Sequence, residues 1–185
     1  TNNRIMTYLP DHKITIKWDS YEEYDELHVY GVAAHASTPE FGINAISHLM
    51  NALYEAEIND DFVTAYHDMI GLSYNGDGCD VHLSDDYGEL TLNVGVIYKK
   101  DGNVTATIDI RFPVTLNASL VSVPMTEAFA KSTAELNIHG THEPLFLPLD
   151  SDLVRALVSA YQTVTGDTET QPMTMGGGTY AKGIN

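Results

Sequence analysis

Two side chains stand out for chemistry. His35 lies in Ala33-Ala34-His35-Ala36-Ser37, a run of small residues between a strand pattern and a helix pattern. Loops of this kind carry function on a rigid scaffold. The imidazole can donate a hydrogen bond to a developing oxyanion, or serve as acid or base. As one of 8 histidines it can also be an ordinary surface or core residue. Arg111 lies at the end of the strand-like run Ile108-Asp109-Ile110-Arg111-Phe112-Pro113 and is one of only 9 basic residues. Its guanidinium suits bidentate capture of a carboxylate, either a substrate's or that of a nearby acidic side chain. Gly176, Gly177, Gly178 and Thr179 form a further run. It can bring backbone N–H groups close to a ligand carboxylate or carbonyl, or make a flexible turn. It lacks the spacing and the Lys of a phosphate loop.

Metal chemistry finds less support. Asp77, Asp80, Asp85 and Asp86 do not match a helix-loop-helix calcium site, and no Glu stands at the closing position, so they read as a solvated acidic loop. No two histidines are spaced i, i+4 on a helix pattern, and His139 and His142 straddle Gly140. A complete zinc site within the chain is therefore not expected, nor any other bound metal.

These residues need elements to position them. Ile14, Ile16 and Trp18, then Leu27, Val29 and Gly31, alternate with polar neighbours and predict two strands joined by an acidic turn. Residues 41–56 predict a helix, with Ile43, Ile46, Leu49, Met50 and Leu53 on one face. Pro39 suits its entry. Residues 60–72 predict a second helix, with Asp60 and Asp61 favoured at its start by the helix dipole. Residues 73–88 are rich in Gly and Asp and read as an exposed loop. Residues 89–98 and 104–112 predict strands joined through Asp101-Gly102, a hairpin signal. Residues 119–131 predict a helix and residues 134–139 a last strand. The order predicts an α+β fold: a ferredoxin-like βαββαβ antiparallel sheet with helices on one face. After Pro144 the character changes to one amphipathic helix, residues 153–164, and a glycine loop. This places a domain boundary near residues 143–148.

Composition bounds the function. The 185 residues carry 9 Lys+Arg against 26 Asp+Glu, a formal net charge of −17, and 43% are hydrophobic. That is enough for a packed core. The acidity argues against nucleic acid or anionic membrane as a partner. No run approaches the ~18 apolar residues of a membrane span. The single cysteine, Cys79, excludes an internal disulfide framework and fits a reducing cytoplasm. Thr1 at the start and the glycine loop so near Asn185 read as an excised fragment or an internal span of a longer protein.

The stretch Gly31-Val32-Ala33-Ala34-His35-Ala36-Ser37-Thr38-Pro39-Glu40-Phe41-Gly42-Ile43-Asn44-Ala45 resembles the lid-domain signature of the di-zinc aminoacylase/carboxypeptidase G clan, G-x-x-x-H-A-S-x-P-x-x-G-x-N-A. Leu92-Asn93-Val94-Gly95-Val96-Ile97 and the run ending at Pro113 resemble that clan's next two lid strands. Gly176-Gly177-Gly178-Thr179-Tyr180-Ala181 resembles the substrate-binding loop of its peptidase V-type dipeptidases. Lys99-Lys100-Asp101-Gly102-Asn103 departs from the hairpin of many clan members and points toward the dipeptidase branch.

The resemblance implies a catalytic domain with two zinc ions, or manganese in their place, and an inserted lid. Residues 1–147 would be the lid and 148–185 part of the catalytic domain. It implies that His35 stabilises the tetrahedral intermediate and that Arg111 binds the terminal carboxylate of a dipeptide substrate. It implies that Gly176, Gly177, Gly178 and Thr179 contact the substrate backbone. Its partners would be the dipeptide, the rest of the catalytic domain and, through the lid, a second copy. The chain alone, lacking counterparts of the family's zinc ligands, is expected to be inactive. Two other readings stay open: a non-catalytic ferredoxin-like interaction module, and an amidohydrolase of N-acyl amino acids.

Overall fold

The computed structural model describes residues 2–11 and 14–178. Its elements in chain order are α1 (Asn2–Asp11), β1 (Thr15–Ser20), β2 (Asp25–Tyr30), α2 (Ala45–Glu55), α3 (Asp61–Met69), β3 (Ser84–Asp85), β4 (Gly88–Glu89), β5 (Thr91–Lys100), β6 (Asn103–Arg111), α4 (Ser119–Phe129) and α5 (Asp152–Thr165). The α+β class is as expected. Among the described residues the strands pair as three antiparallel two-stranded ladders, β1–β2, β3–β4 and β5–β6, and not as one βαββαβ sheet. Residues 134–139, expected as the last strand, join no ladder. Their alternation is nevertheless used, because Ala134 and Leu136 pack against the main core.

The ladder β5–β6 carries that core. Across it Leu92 faces Ile110 and Val94 faces Ile108. This face packs on Ile46 and Met50 of α2, Tyr66 of α3, and Val121, Met125 and Phe129 of α4. Helices therefore cover one face of the hairpin, as the pattern predicts. Asp101 and Gly102 both take positive φ, 51° and 87°, which suits the tight turn between two twisted strands. The register slips between Val94 and Val96, at Gly95.

Helix α2 bridges two cores. Its other side sets Ala52 and Ala56 against Ile5 and Leu9 of α1 and Ile14, with Ile16, Leu27 and Val29 of the β1–β2 hairpin packed around them. Helix α1 has no counterpart in the sequence reading. The 73–88 segment differs from its expectation as an exposed loop. Cys79 and Val81 are both 0% exposed, and Leu90 beside them is 1% exposed. A 3-10 turn at Asp77–Cys79 folds this segment inward, and the Cys79 thiol donates to the Met69 carbonyl at 3.1 Å.

Helix α5 has no buried residue. Leu157 is 61% exposed and Val164 85% exposed on it. Ser151 caps its start and Gly166, at φ 75°, ends it. No helix of the described residues is long and apolar enough to cross a membrane.

Candidate functional site

The His35 loop is a closed loop pinched at its base. Val32 and Ile43 form an antiparallel bridge, with N–H to carbonyl distances of 3.0 and 2.9 Å. The glycines allow this approach. A Cβ on Gly31 would lie 2.1 Å from the Ile43 carbonyl oxygen, and one on Gly42 would lie 2.7 Å from both the Val32 carbonyl oxygen and Ala34 Cβ. Within the loop the Thr38 N–H donates to the His35 carbonyl at 2.9 Å. Pro39 opens a 3-10 turn at Pro39–Phe41, so the helix expected from residue 41 begins at Ala45.

Asn44 joins this loop to both neighbours. Its Oδ1 accepts from the N–H groups of Ile46 and Ser47 and caps α2. Its Nδ2 donates to Asn93 Oδ1 and to the Val94 carbonyl, each at 2.9 Å. One side chain thus satisfies two orphan donors of a helix and fastens it to β5.

The second fastening brings the loop to Arg111. Thr91 stands directly across the ladder from Arg111, and Asn93 across from Asp109. Opposite residues share a face, so these four form the polar face of a hairpin whose other face is core. From this face Thr91 Oγ1 donates to the Ala36 carbonyl at 3.0 Å, next to His35. The structure therefore places the His35 loop on the hairpin face that bears Arg111. Thr91 and Asn93 were not singled out from the sequence. Their signal is a polar pair alternating with Leu92 and Val94.

Arg111 is held by its own strand. Its Nη2 donates to Asp109 Oδ2 at 2.9 Å, and its Nε lies 2.8 Å from Asp109 Oδ1 without hydrogen-bond alignment. Among the described residues Asp109 is its partner and Nη1 has none. His35 is exposed, and its Nδ1 faces Ser37.

Gly176, in the run 176–178, reaches the same loop. A Cβ on it would lie 2.3 Å from Ser37 Cβ and 2.9 Å from Ser37 Oγ. Thr174 Oγ1 donates to the Tyr87 carbonyl at 3.3 Å and steadies the approach. Gly177 and Gly178 make no close backbone contact that a side chain would disturb, apart from the flexible end of Met175 near Gly177. Thr179 lies outside the described residues.

A groove of about 610 Å³ opens beside the loop, lined by Gly31, Val32, Gly42, Asn44, His48 and Asn93 among others. His35 and Arg111 are not on its walls.

Among the described residues, Asp19, Glu26 and His28 of the β1–β2 hairpin offer ligand atoms within 4.8 Å of one another. The Lys17 ammonium already sits 2.6 Å from Asp19 Oδ2 and neutralises it. The trio is far too small a donor set for two zinc ions and does not fit such a centre.

The chain is 32% identical over 163 residues to the Bacillus subtilis protein named "Putative dipeptidase YtjP", covering 85% of this chain and 34% of that protein. It is 29% identical over 193 residues to "Putative dipeptidase SH1171" of Staphylococcus haemolyticus, covering 96% of this chain and 39% of that protein. The chain spans little more than a third of the length of these relatives. Residues 25–122, more than half of the chain, match the model of the M20 peptidase dimerisation domain, and the chain belongs to that family.

Proposed function

We propose that this chain is the lid of a zinc-dependent dipeptidase, with residues 148–185 contributed to the catalytic domain. The observation that carries the reading is the Thr91–Ala36 hydrogen bond, which seats the His35 loop on the face that holds Arg111. His35 then donates to the oxyanion that develops on the scissile carbonyl, and Arg111 holds the substrate's terminal carboxylate. Asp109 accepts a hydrogen bond from Nη2 and aims the guanidinium, leaving Nη1 for the substrate. A carboxylate fixed one residue from the scissile bond selects dipeptides over longer chains. Gly176, Gly177, Gly178 and Thr179 contact the substrate backbone.

The zinc ions belong to the remainder of the protein, since the residues here do not fit that centre. The uncovered apolar side of α5, with Leu153, Leu157 and Val164, is the surface the catalytic domain would cover. Pairing of two copies through residues 25–122 belongs to the same proposal, in keeping with the family's description.

The test is kinetic, on the full-length protein with dipeptide substrates. His35→Ala should lower kcat by about 10²-fold or more, the effect of losing one oxyanion donor. Arg111→Ala should raise KM by about tenfold or more, the loss of a charge-assisted hydrogen bond. Unchanged kinetics in both variants would make these residues structural and remove the reading.

A further inference from the structure

The Ser37 contacts with His35 carry a consequence for the ring itself. The Ser37 backbone N–H donates to His35 Nδ1 at 3.2 Å. A backbone N–H can only donate, so Nδ1 must present its lone pair. In a neutral imidazole one nitrogen bears hydrogen and the other accepts. The hydrogen of neutral His35 is therefore on Nε2. The Ser37 hydroxyl lies 2.8 Å from the same Nδ1, and with the lone pair there it too must donate. The Nε2–H has no partner among the described residues, and His35 is exposed.

We propose that Ser37 is a positioning residue for His35: its N–H and hydroxyl, both directed at Nδ1, fix the Nε2–H tautomer and keep Nε2–H as the donor offered to substrate. The neutral ring is a donor at one nitrogen only, so an oxyanion-stabilising histidine needs this nitrogen settled in advance. Two further contacts hold Ser37 in place. The Thr38 N–H closes the turn onto the His35 carbonyl at 2.9 Å. Gly176 packs so closely on Ser37 Cβ that no side chain fits between them. The catalytic use of this arrangement rests on the proposed role of His35; the tautomer itself rests on the hydrogen bonds alone.

The experiment joins a spectrum to kinetics. Imidazole nitrogen shifts are read by NMR in the full-length protein labelled with 15N-histidine, under alkaline conditions where the rings are neutral. The spectrum of His35→Ala assigns the ring. Wild type should show His35 as the Nε2–H tautomer. Ser37→Ala keeps the backbone donor and removes the hydroxyl. It should admit a fraction of the Nδ1–H tautomer and lower kcat about threefold to tenfold, with KM within about twofold. A wild-type ring with hydrogen on Nδ1 would overturn the proposal, as would ring signals that ignore Ser37→Ala. So would a shifted tautomer with full kcat in a protein that His35→Ala inactivates. If instead His35→Ala leaves kcat intact while Ser37→Ala shifts the tautomer, the proposed function falls and the hold of Ser37 on the ring stands.

Discussion

Thr91 donates its hydroxyl to the Ala36 carbonyl across 55 residues of chain, from the ladder position opposite Arg111. That bond fixes where the loop sits relative to the guanidinium. Thr91→Val keeps the shape and β-branching and removes the donor. Its cost in stability should be about 1 kcal/mol, as for a typical net hydrogen bond. Urea unfolding of the chain measures the stability. In the full-length protein the same variant should lower kcat/KM by more than the stability loss explains. A variant as active as wild type would mean that the loop does not need this tether.

Asn44 is the stronger tether, because four bonds converge on it. Asn44→Ala removes a helix cap, worth about 1 kcal/mol. It also leaves Asn93 Oδ1 and the Val94 carbonyl without that donor. Destabilisation of about 2–3 kcal/mol is expected, measured by denaturant titration. Asn44→Asp should keep the cap and lose the two donor bonds, and so fall between wild type and Ala. Equal stability of Asp and Ala variants would mean that capping contributes nothing here.

The glycine run offers a paired test. Gly176→Ala must push Ser37 aside, since the new Cβ would stand 2.3 Å from Ser37 Cβ. Gly178→Ala meets nothing within 4 Å. Backbone amide shifts of Ser37 and Thr38 should move in the first variant and stay in the second. Shifts that stay put in both would place the run away from the His35 loop.

Tyr66 sets an alkaline limit. Burial pushes its phenol from 10.0 up to about 12, against a smaller opposing effect of its hydrogen bond with Ser47. Between those values the unfolded chain has released a proton that the folded chain retains. Stability is therefore independent of this group below 10.0 and falls as pH rises through the window. Tyr66→Phe should remove that decline and cost about 1 kcal/mol at neutral pH, because the buried Ser47 hydroxyl loses its partner. Unfolding followed across the alkaline range in both proteins checks it; parallel declines would contradict the assignment.

An acidic counterpart lies after α5. Hydrogen bonds from the Thr170 hydroxyl and N–H, and from the Glu169 N–H, draw the Asp167 carboxyl from 3.8 down to about 2. The turn keeps its carboxylate partner above 3.8 and loses it as pH falls through about 2. The Thr170 amide resonance should titrate with the lower midpoint. A midpoint at 3.8 would show that the turn does not form in solution.

Gly31, Gly42 and Asn44 stand in the sequence only as positions of the family motif, and the backbone contacts supply the reason for each: a loop that closes on itself, and a helix capped at Asn44 where the pattern places its start at residue 41. Asp101-Gly102 announced its hairpin. What stayed hidden depends on distant partners. Cys79 and Val81 sit in a Gly- and Asp-rich segment that reads as solvated until Met69 and Leu90 close around it. Ala134 and Leu136 alternate like a strand and pack on the core, yet their backbone joins no ladder. Thr91 and Asn93 are unremarkable alone and acquire meaning only from the residues opposite and above them.

The most direct test of the account is hydrolysis of one dipeptide and of its C-terminal amide by the full-length protein, wild type and Arg111→Ala. If Arg111 holds the terminal carboxylate, wild type favours the free acid by about tenfold or more in kcat/KM, and Arg111→Ala loses that preference. A preference that survives in Arg111→Ala would contradict the account, because the carboxylate would then be recognised elsewhere.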